Sequence, residues 1–173
     1  MAGNSKNKEI LVVDGYNIIN SWDRLKEVAV VDFEQARLEL LEILSEYHHY
    51  SGIETIVVFD AHLVKGSIRK EEEYKGITVV YTKENELADH YIEKMLDELG
   101  RIKRIRVATS DRTEQEIILS RGGTRLSARE LEAEIDDEMS LAARKRKRIN
   151  MKNDIQLGRL ADRVYHKLKD WDK

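Results

Sequence analysis

The sequence predicts an α/β domain, with a mostly parallel central sheet flanked by helices and a helical extension at its C-terminal end. Three observations predict it. Short β-branched runs recur, and three of them end in or just before an aspartate. Amphipathic segments of helical period separate them. From residue 127 onward the pattern is helical throughout.

Taken in order, residues 1–8 are polar and lack the apolar stretch of a signal peptide, so they read as a flexible tail. Glu9 to Asp14 (EILVVD) is the first strand. Phe33 to Tyr50 places Phe33, Ala36, Leu40, Leu41, Leu44 and Tyr47 at spacings of three and four, the stripe of a helix. Glu54 to Asp60 (ETIVVFD) repeats the first strand. Ala61 to Glu73 reads as a long charged loop, and Gly76 to Tyr81 (GITVVY) as a more amphipathic strand. A helix over Asn85 to Leu99 follows. Lys103 to Asp111 (KRIRVATSD) is the third acid-ended strand, leading into a short helix from Thr113 to Leu119. Continuous apolar strands are those buried on both faces, as in parallel sheets. After Ser127, a capping residue, one helix is expected from Ala128 to Arg148 and a separate amphipathic segment from Ile155 to Trp171. The 173 residues suit one domain, with 127–173 as its extension.

Composition narrows the chemistry. There is no cysteine, which excludes disulfides, thiolate metal sites and a cysteine nucleophile and fits a reducing, cytoplasmic setting. No apolar run approaches the roughly 20 residues that span a bilayer. Neither G-x-G-x-x-G nor a Walker A motif occurs, so no dinucleotide cofactor is expected. The net charge of −3 gives no global basic signature, so any nucleic-acid contact must come from local clusters.

The acids carry the chemical signal. In open α/β sheets the functional crevice lies beyond the carboxyl ends of the strands. Asp14, Asp60 and Asp111 all fall at such ends, and parallel strands bring them to one edge. Glu86 and Asp89, three apart at the start of a helix, add acids from one face. Each aspartate alone also fits a turn former or a helix cap. Gathered together, they repel one another, and a divalent cation relieves that repulsion. Carboxylate and water ligands suit Mg2+ or Mn2+, whose chemistry on phosphates is phosphoryl transfer. Gly15 allows a tight exit from the first strand. Asn17 and Ser110 fit contacts to water, phosphate or a neighbouring acid, and equally turn or cap roles.

Four blocks then carry a resemblance: Ile10 to Ile19 (ILVVDGYNII), Val58-Phe59-Asp60-Ala61, Tyr81 to Glu84 leading into Ala88-Asp89 and Ile92-Glu93, and Ala108-Thr109-Ser110-Asp111. In order and spacing the chain resembles the YacP-like NYN-domain proteins over residues 8–170. The resemblance implies a PIN-like fold and a ribosome-associated endoribonuclease that cleaves mRNA. It also implies an acidic catalytic site of Asp14, Asp60, Asp89 and Asp111, with Asp14, Asp89 and Asp111 at the metal. One departure is Leu87, where many relatives place threonine before the helix Ala-Asp.

RNA near such acids needs cations. The candidates are Lys65, Arg69, Lys70 and Arg112 around the acid-ended strands, and Arg144, Lys145 and Arg146 in the run RKRKR; such a run is also an ordinary solvated helix end. Two other readings stay open. One is a noncatalytic RNA- or ribosome-binding module of the same fold. The other is a phosphatase-type enzyme, although Asp14-Gly15-Tyr16 lacks the Asp-x-Asp of haloacid-dehalogenase-type phosphatases.

Overall fold

The structure, a computed structural model of the chain, describes residues 9–61 and 68–169. Lys65, the tail 1–8 and Trp171 lie outside the described residues.

The described residues form one six-stranded sheet: β1 (Glu9–Asp14), β2 (Glu54–Phe59), β3 (Lys70–Tyr74), β4 (Ile77–Tyr81), β5 (Arg104–Ala108) and β6 (Thr124–Leu126). Across the sheet the order is β3, β4, β2, β1, β5, β6. Every neighbouring pair is parallel except β3 and β4. Six helices connect or follow the strands: α1 (Gly15–Ser21), α2 (Asp23–Val31), α3 (Phe33–Ser51), α4 (Ala88–Leu99), α5 (Arg112–Ser120) and α6 (Ala128–Lys169).

β1 lies at the centre, and all its residues after Glu9 are buried, as a strand covered on both faces must be. Ile10, Val12, Val58 and Val80 pack on one face against Ala88, Ile92, Leu96 and Ile118 of α4 and α5. On the other side α3 packs on β2 and β4. The chain winds from β1 out to β4 and then returns through α4 to β5 on the opposite side of β1. The winding direction therefore reverses beside β1, and the carboxyl ends of β1 and β5 flank the switch point where such sheets bind ligands.

Several expectations are corrected. The segment expected as a loop to Glu73 contains β3, which pairs with β4 through Lys75 and Gly76, both at positive φ (44° and 89°). That two-residue turn has the backbone of a tight hairpin, and the charged run KEEEY is a sheet edge, where side chains face water. The tight exit after Asp14 is the first turn of α1. The α4 helix starts at Ala88 rather than Asn85, which leaves Glu86 outside it. Finally, α6 runs unbroken through the expected gap at 149–154. Asn150 and Asn153 cost a helix only a few tenths of a kcal/mol each, too little to stop one flanked by strong helix formers.

Two units make up the chain, Met1–Ile135 and Asp136–Lys173. In the first, α6 begins with a capping box: Ser127 Oγ accepts from Glu130 N (3.2 Å) and Glu130 Oε2 from Ser127 N (2.7 Å). Leu131 and Ile135 are buried, and the Trp22 indole donates to the Ala128 carbonyl (2.8 Å). Glu134 meets Arg106 of β5 through two hydrogen bonds (2.7 and 2.8 Å), and Tyr47 donates to the same carboxylate. Glu9 pairs with Arg106 as well. In the second unit the helix continues to Lys169, with Ile149, Leu157, Leu160, Val164 and Leu168 exposed. No helix among the described residues is long and apolar enough to cross a membrane.

Candidate metal centre

Asp14 ends β1 and caps α1, accepting from the Asn17 amide (3.5 Å). The strand runs straight into a helix because Gly15 has no side chain: a Cβ there would fall inside the Phe59 ring. The Asp14 carboxyl is 8% exposed and pushed up to about 7, first by burial and then by the charge of Asp89, against the pull of the Asn17 amide; Asp60 and Asp111 raise it further.

Asp89 lies in the first turn of α4 and Glu114 in the first turn of α5. Each of Asp14, Asp89 and Glu114 brings one carboxylate oxygen within 4.8 Å of the other two. Glu114 is 3% exposed and pushed up to about 8, chiefly by burial; the Thr109 hydroxyl opposes the shift, and the charges of Asp14, Asp89 and Asp111 add to it. Asp89 is raised too, by burial and then by Asp111 and Asp60.

Three carboxylates sharing so small a space, two of them buried, repel one another, and either protons or a divalent cation relieves that cost. Neither Glu114 oxygen finds a donor in hydrogen-bonding geometry, although both are buried. A Glu114 oxygen lying within 4.8 Å of two further carboxylates matches the needs of a hard divalent cation, which takes oxygen ligands and displaces their protons. The cluster can therefore hold such an ion.

The expected site residues divide. Asp14 and Asp89 meet. Asp60 and Asp111 lie close enough for their charges to act on the cluster, and each also caps a helix. Asp60 accepts from the Ala88 amide at the start of α4, where the N-cap residue Leu87 supplies no side-chain acceptor. Asp111 accepts from Thr113 N (2.8 Å) at the start of α5. Asn17 Oδ1 accepts from Ser110 N (2.6 Å), and Ser21 Oγ reaches both Ser110 Oγ (3.2 Å) and the Asn17 carbonyl (2.7 Å). These bonds tie the β1 exit to the β5 exit. Glu86 is turned away from the cluster, bound by Arg69 and the Lys83 amide.

Glu114 was not among the expected residues. With Asp111 as N-cap, Glu114 sits at the third helical position, where a glutamate normally reads as half of a capping box. The available signal was its place four residues before Ile118 on the inward face of α5, where both are buried.

The basic candidates are dispersed. Arg69 lies over the Tyr91 ring (5.0 Å) and pairs with Glu86, and Lys70 pairs with Glu72. Arg112 opens α5 and is exposed. Arg144, Lys145 and Arg146 are exposed on the part of α6 in the second unit. Lys65 lies outside the described residues.

A mostly parallel sheet with buried acids at the carboxyl ends of its central strands is the layout of the PIN-like nuclease fold. The comparisons narrow the class. The profile of the YacP-like NYN domain matches residues 11–173. The chain is 42% identical over 164 residues to the YacP protein of Bacillus subtilis, covering 94% of this chain and 96% of that one. The crystal structure of Rae1 (YacP) from Bacillus subtilis superposes with a TM-score of 0.70, covering 94% of this chain and 93% of that chain. A crystal structure of a single-substitution variant of the same protein gives 0.70 over 82% and 84%. The chain belongs to the YacP-like NYN domain family.

Proposed function

We propose that the protein is a metal-dependent endoribonuclease that cleaves single-stranded RNA, with mRNA on the translating ribosome in the cytoplasm as its substrate. The observation that carries the chemistry is the Asp14–Asp89–Glu114 cluster, whose Glu114 oxygens are buried with no donor in hydrogen-bonding geometry among the described residues. The choice of RNA rests on family membership, and the ribosome on the resemblance of the four sequence blocks.

Asp14, Asp89 and Glu114 would hold Mg2+ or Mn2+, with the Asp111 carboxylate beside them. Such an ion would supply stabilisation of charge on the scissile phosphate and a more acidic water. Asp60 and Asp111 orient the attacking water. Its oxygen forms a new P–O bond while the bond to the 3′ oxygen breaks, leaving a 5′-phosphate and a 3′-hydroxyl. Asn17 and Ser110 keep the two strand exits in register. Arg69, Lys70, Arg112 and the Arg144–Lys145–Arg146 run, together with Lys65, supply positive charge for the RNA.

The test is cleavage of a labelled single-stranded RNA with Mg2+, with Mn2+ and with EDTA. Cleavage that needs the metal and is lost in Asp14→Asn and Asp89→Asn supports the reading. Full activity in both variants defeats it. Ribosome co-sedimentation without metal-dependent cleavage of any RNA supports a noncatalytic module instead.

A further inference from the structure

The carboxyl edge of the sheet is chemically lopsided. Around β1 and β5 stand Asp14, Asp89, Asp111 and Glu114, with Asp60 just past β2. Above β2, β4 and β3 stand aromatic rings and cations, because β3 is antiparallel and brings its first residue, Lys70, opposite Tyr81 at the end of β4. Tyr16 packs between Phe33 and Phe59, at 5.1 Å from each ring. Phe59 in turn stacks on Tyr81, at 5.8 Å and 20°. The Arg37 guanidinium lies over both Tyr81 (5.3 Å) and Phe59 (5.9 Å).

We infer that Tyr16, Arg37, Tyr81 and Lys70 form a ledge running from Asp60 to the β3 edge, and that it binds the sugar-phosphate backbone of single-stranded RNA beside the cut. This inference rests on the nuclease reading and gives its substrate a direction across the sheet.

Continuity along the ledge comes from ring contacts: Phe59 touches both Tyr16 and Tyr81. The Tyr81 hydroxyl, raised mainly by burial, feels Arg37 and Lys70, which both oppose the shift, along with Glu72 and Glu34, which add to it.

Arg37 has the properties of a preset phosphate ligand. Its side chain is 18% exposed and held flat by two rings, so little conformational freedom remains to be lost on binding. Its Nε is buried without a partner. Its Nη2 pairs with Glu34, a side chain that is 63% exposed. The Glu34 side of that pair faces solvent, so a phosphate oxygen can take its place on the guanidinium. The outermost cation, Lys70, pairs with half-exposed Glu72. A ledge is also what the acids require: a backbone entering a site of five carboxylates needs positive charge on its flank.

The test measures binding of a fluorescein-labelled single-stranded RNA in metal-free buffer at several salt concentrations, so that cleavage does not intervene. Arg37→Met keeps an unbranched apolar stem over the rings and removes the charge. It is expected to weaken binding roughly tenfold and to flatten the salt dependence by about 0.7 in log–log slope, the loss of one single-strand phosphate contact. Arg37→Lys is expected to restore the slope. Lys70→Met, on the exposed edge, is expected to weaken binding roughly threefold and decides the matter if Arg37→Met fails to fold. Wild-type binding with unchanged affinity and slope in the variants overturns the ledge and leaves the nuclease reading standing. A wild type that binds no RNA in this buffer overturns the ledge as well, whereas the nuclease reading falls only if metal-dependent cleavage is also absent.

Discussion

Two clusters of buried charge lie in the first unit, and they are built on opposite plans. Where β5 meets α6, Arg106 faces Glu134 and Glu9, and Tyr47 donates its hydroxyl to Glu134. Opposite charges meet there, and the result is self-consistent: Glu134 is lowered by Arg106, and Arg106 is raised by Glu134. At the carboxyl ends of β1 and β5 only carboxylates meet, and all three of Asp14, Asp89 and Glu114 are raised. The first cluster sets opposite charges against each other within the chain and holds a helix to a sheet. The second gathers like charges, which protons or a divalent cation can balance. Buried charge that the protein leaves unbalanced marks the place where function is to be sought.

This contrast can be attacked from either cluster. The largest effect is on rate: Glu114→Gln, like Asp14→Asn, is expected to lower RNA cleavage by about 10³-fold, the scale of losing a group that holds transition-state charge. A single-turnover assay reads it, and a loss below about threefold would remove Glu114 from the machinery. Next comes stability at the balanced cluster. Arg106→Ala strands Glu134 and should cost about 3 kcal/mol, the low end for a broken buried pair because the site is partly open. Thermal melting should then show Tm falling by about 6–12 °C, with metal affinity unchanged.

The acid cluster should respond with the opposite sign. Glu114→Gln removes a repelling charge, so without metal the variant is expected to melt higher than the wild type at about pH 8. The rise should be about 2–4 °C, which is what about 1 kcal/mol is worth in a chain of this size. The same substitution should abolish the Tm rise that Mn2+ gives the wild type. The smallest effect is the pH trend. In the folded chain Glu114 titrates near 8, against an ordinary value of 4.5. Between those values the folded state holds a proton that the unfolded chain has released, so metal-free stability falls as pH rises through this window. Melts in EDTA at about pH 5 and about pH 9 should show the decline, and saturating Mn2+ should reduce it.

Much of this layout was legible in the sequence. Runs such as EILVVD and ETIVVF are apolar enough to be read as buried strands, and their terminal acids follow from the polarity of a parallel sheet. What escaped was structure that works against its own local pattern. KEEEY forms a strand because β4 offers a partner, not because its residues favour one. Gly15 opens a helix because Phe59 occupies the space of a side chain. Glu114 hid behind a capping pattern that predicts a solvated glutamate, and only the packing of α5 against α4 and β6 shows it to be buried. Proximity in space among α4, α5 and β1 is a tertiary fact that no local spacing states.

Asp60, which lends its carboxylate to the first amide of α4, has one more consequence. That bond and the one from the Ala61 amide to Thr82 Oγ1 (3.1 Å), with the Thr82 hydroxyl donating to the Glu86 carbonyl (2.6 Å), close the strand end onto the helix that carries Asp89. The Ala88 amide proton is thus a clock for the assembled site. Its exchange with solvent deuterium measures how often the Asp89 arm swings away, and a cation drawing Asp14, Asp89 and Glu114 together should slow that clock while amides at the remote β3–β4 turn keep their own time.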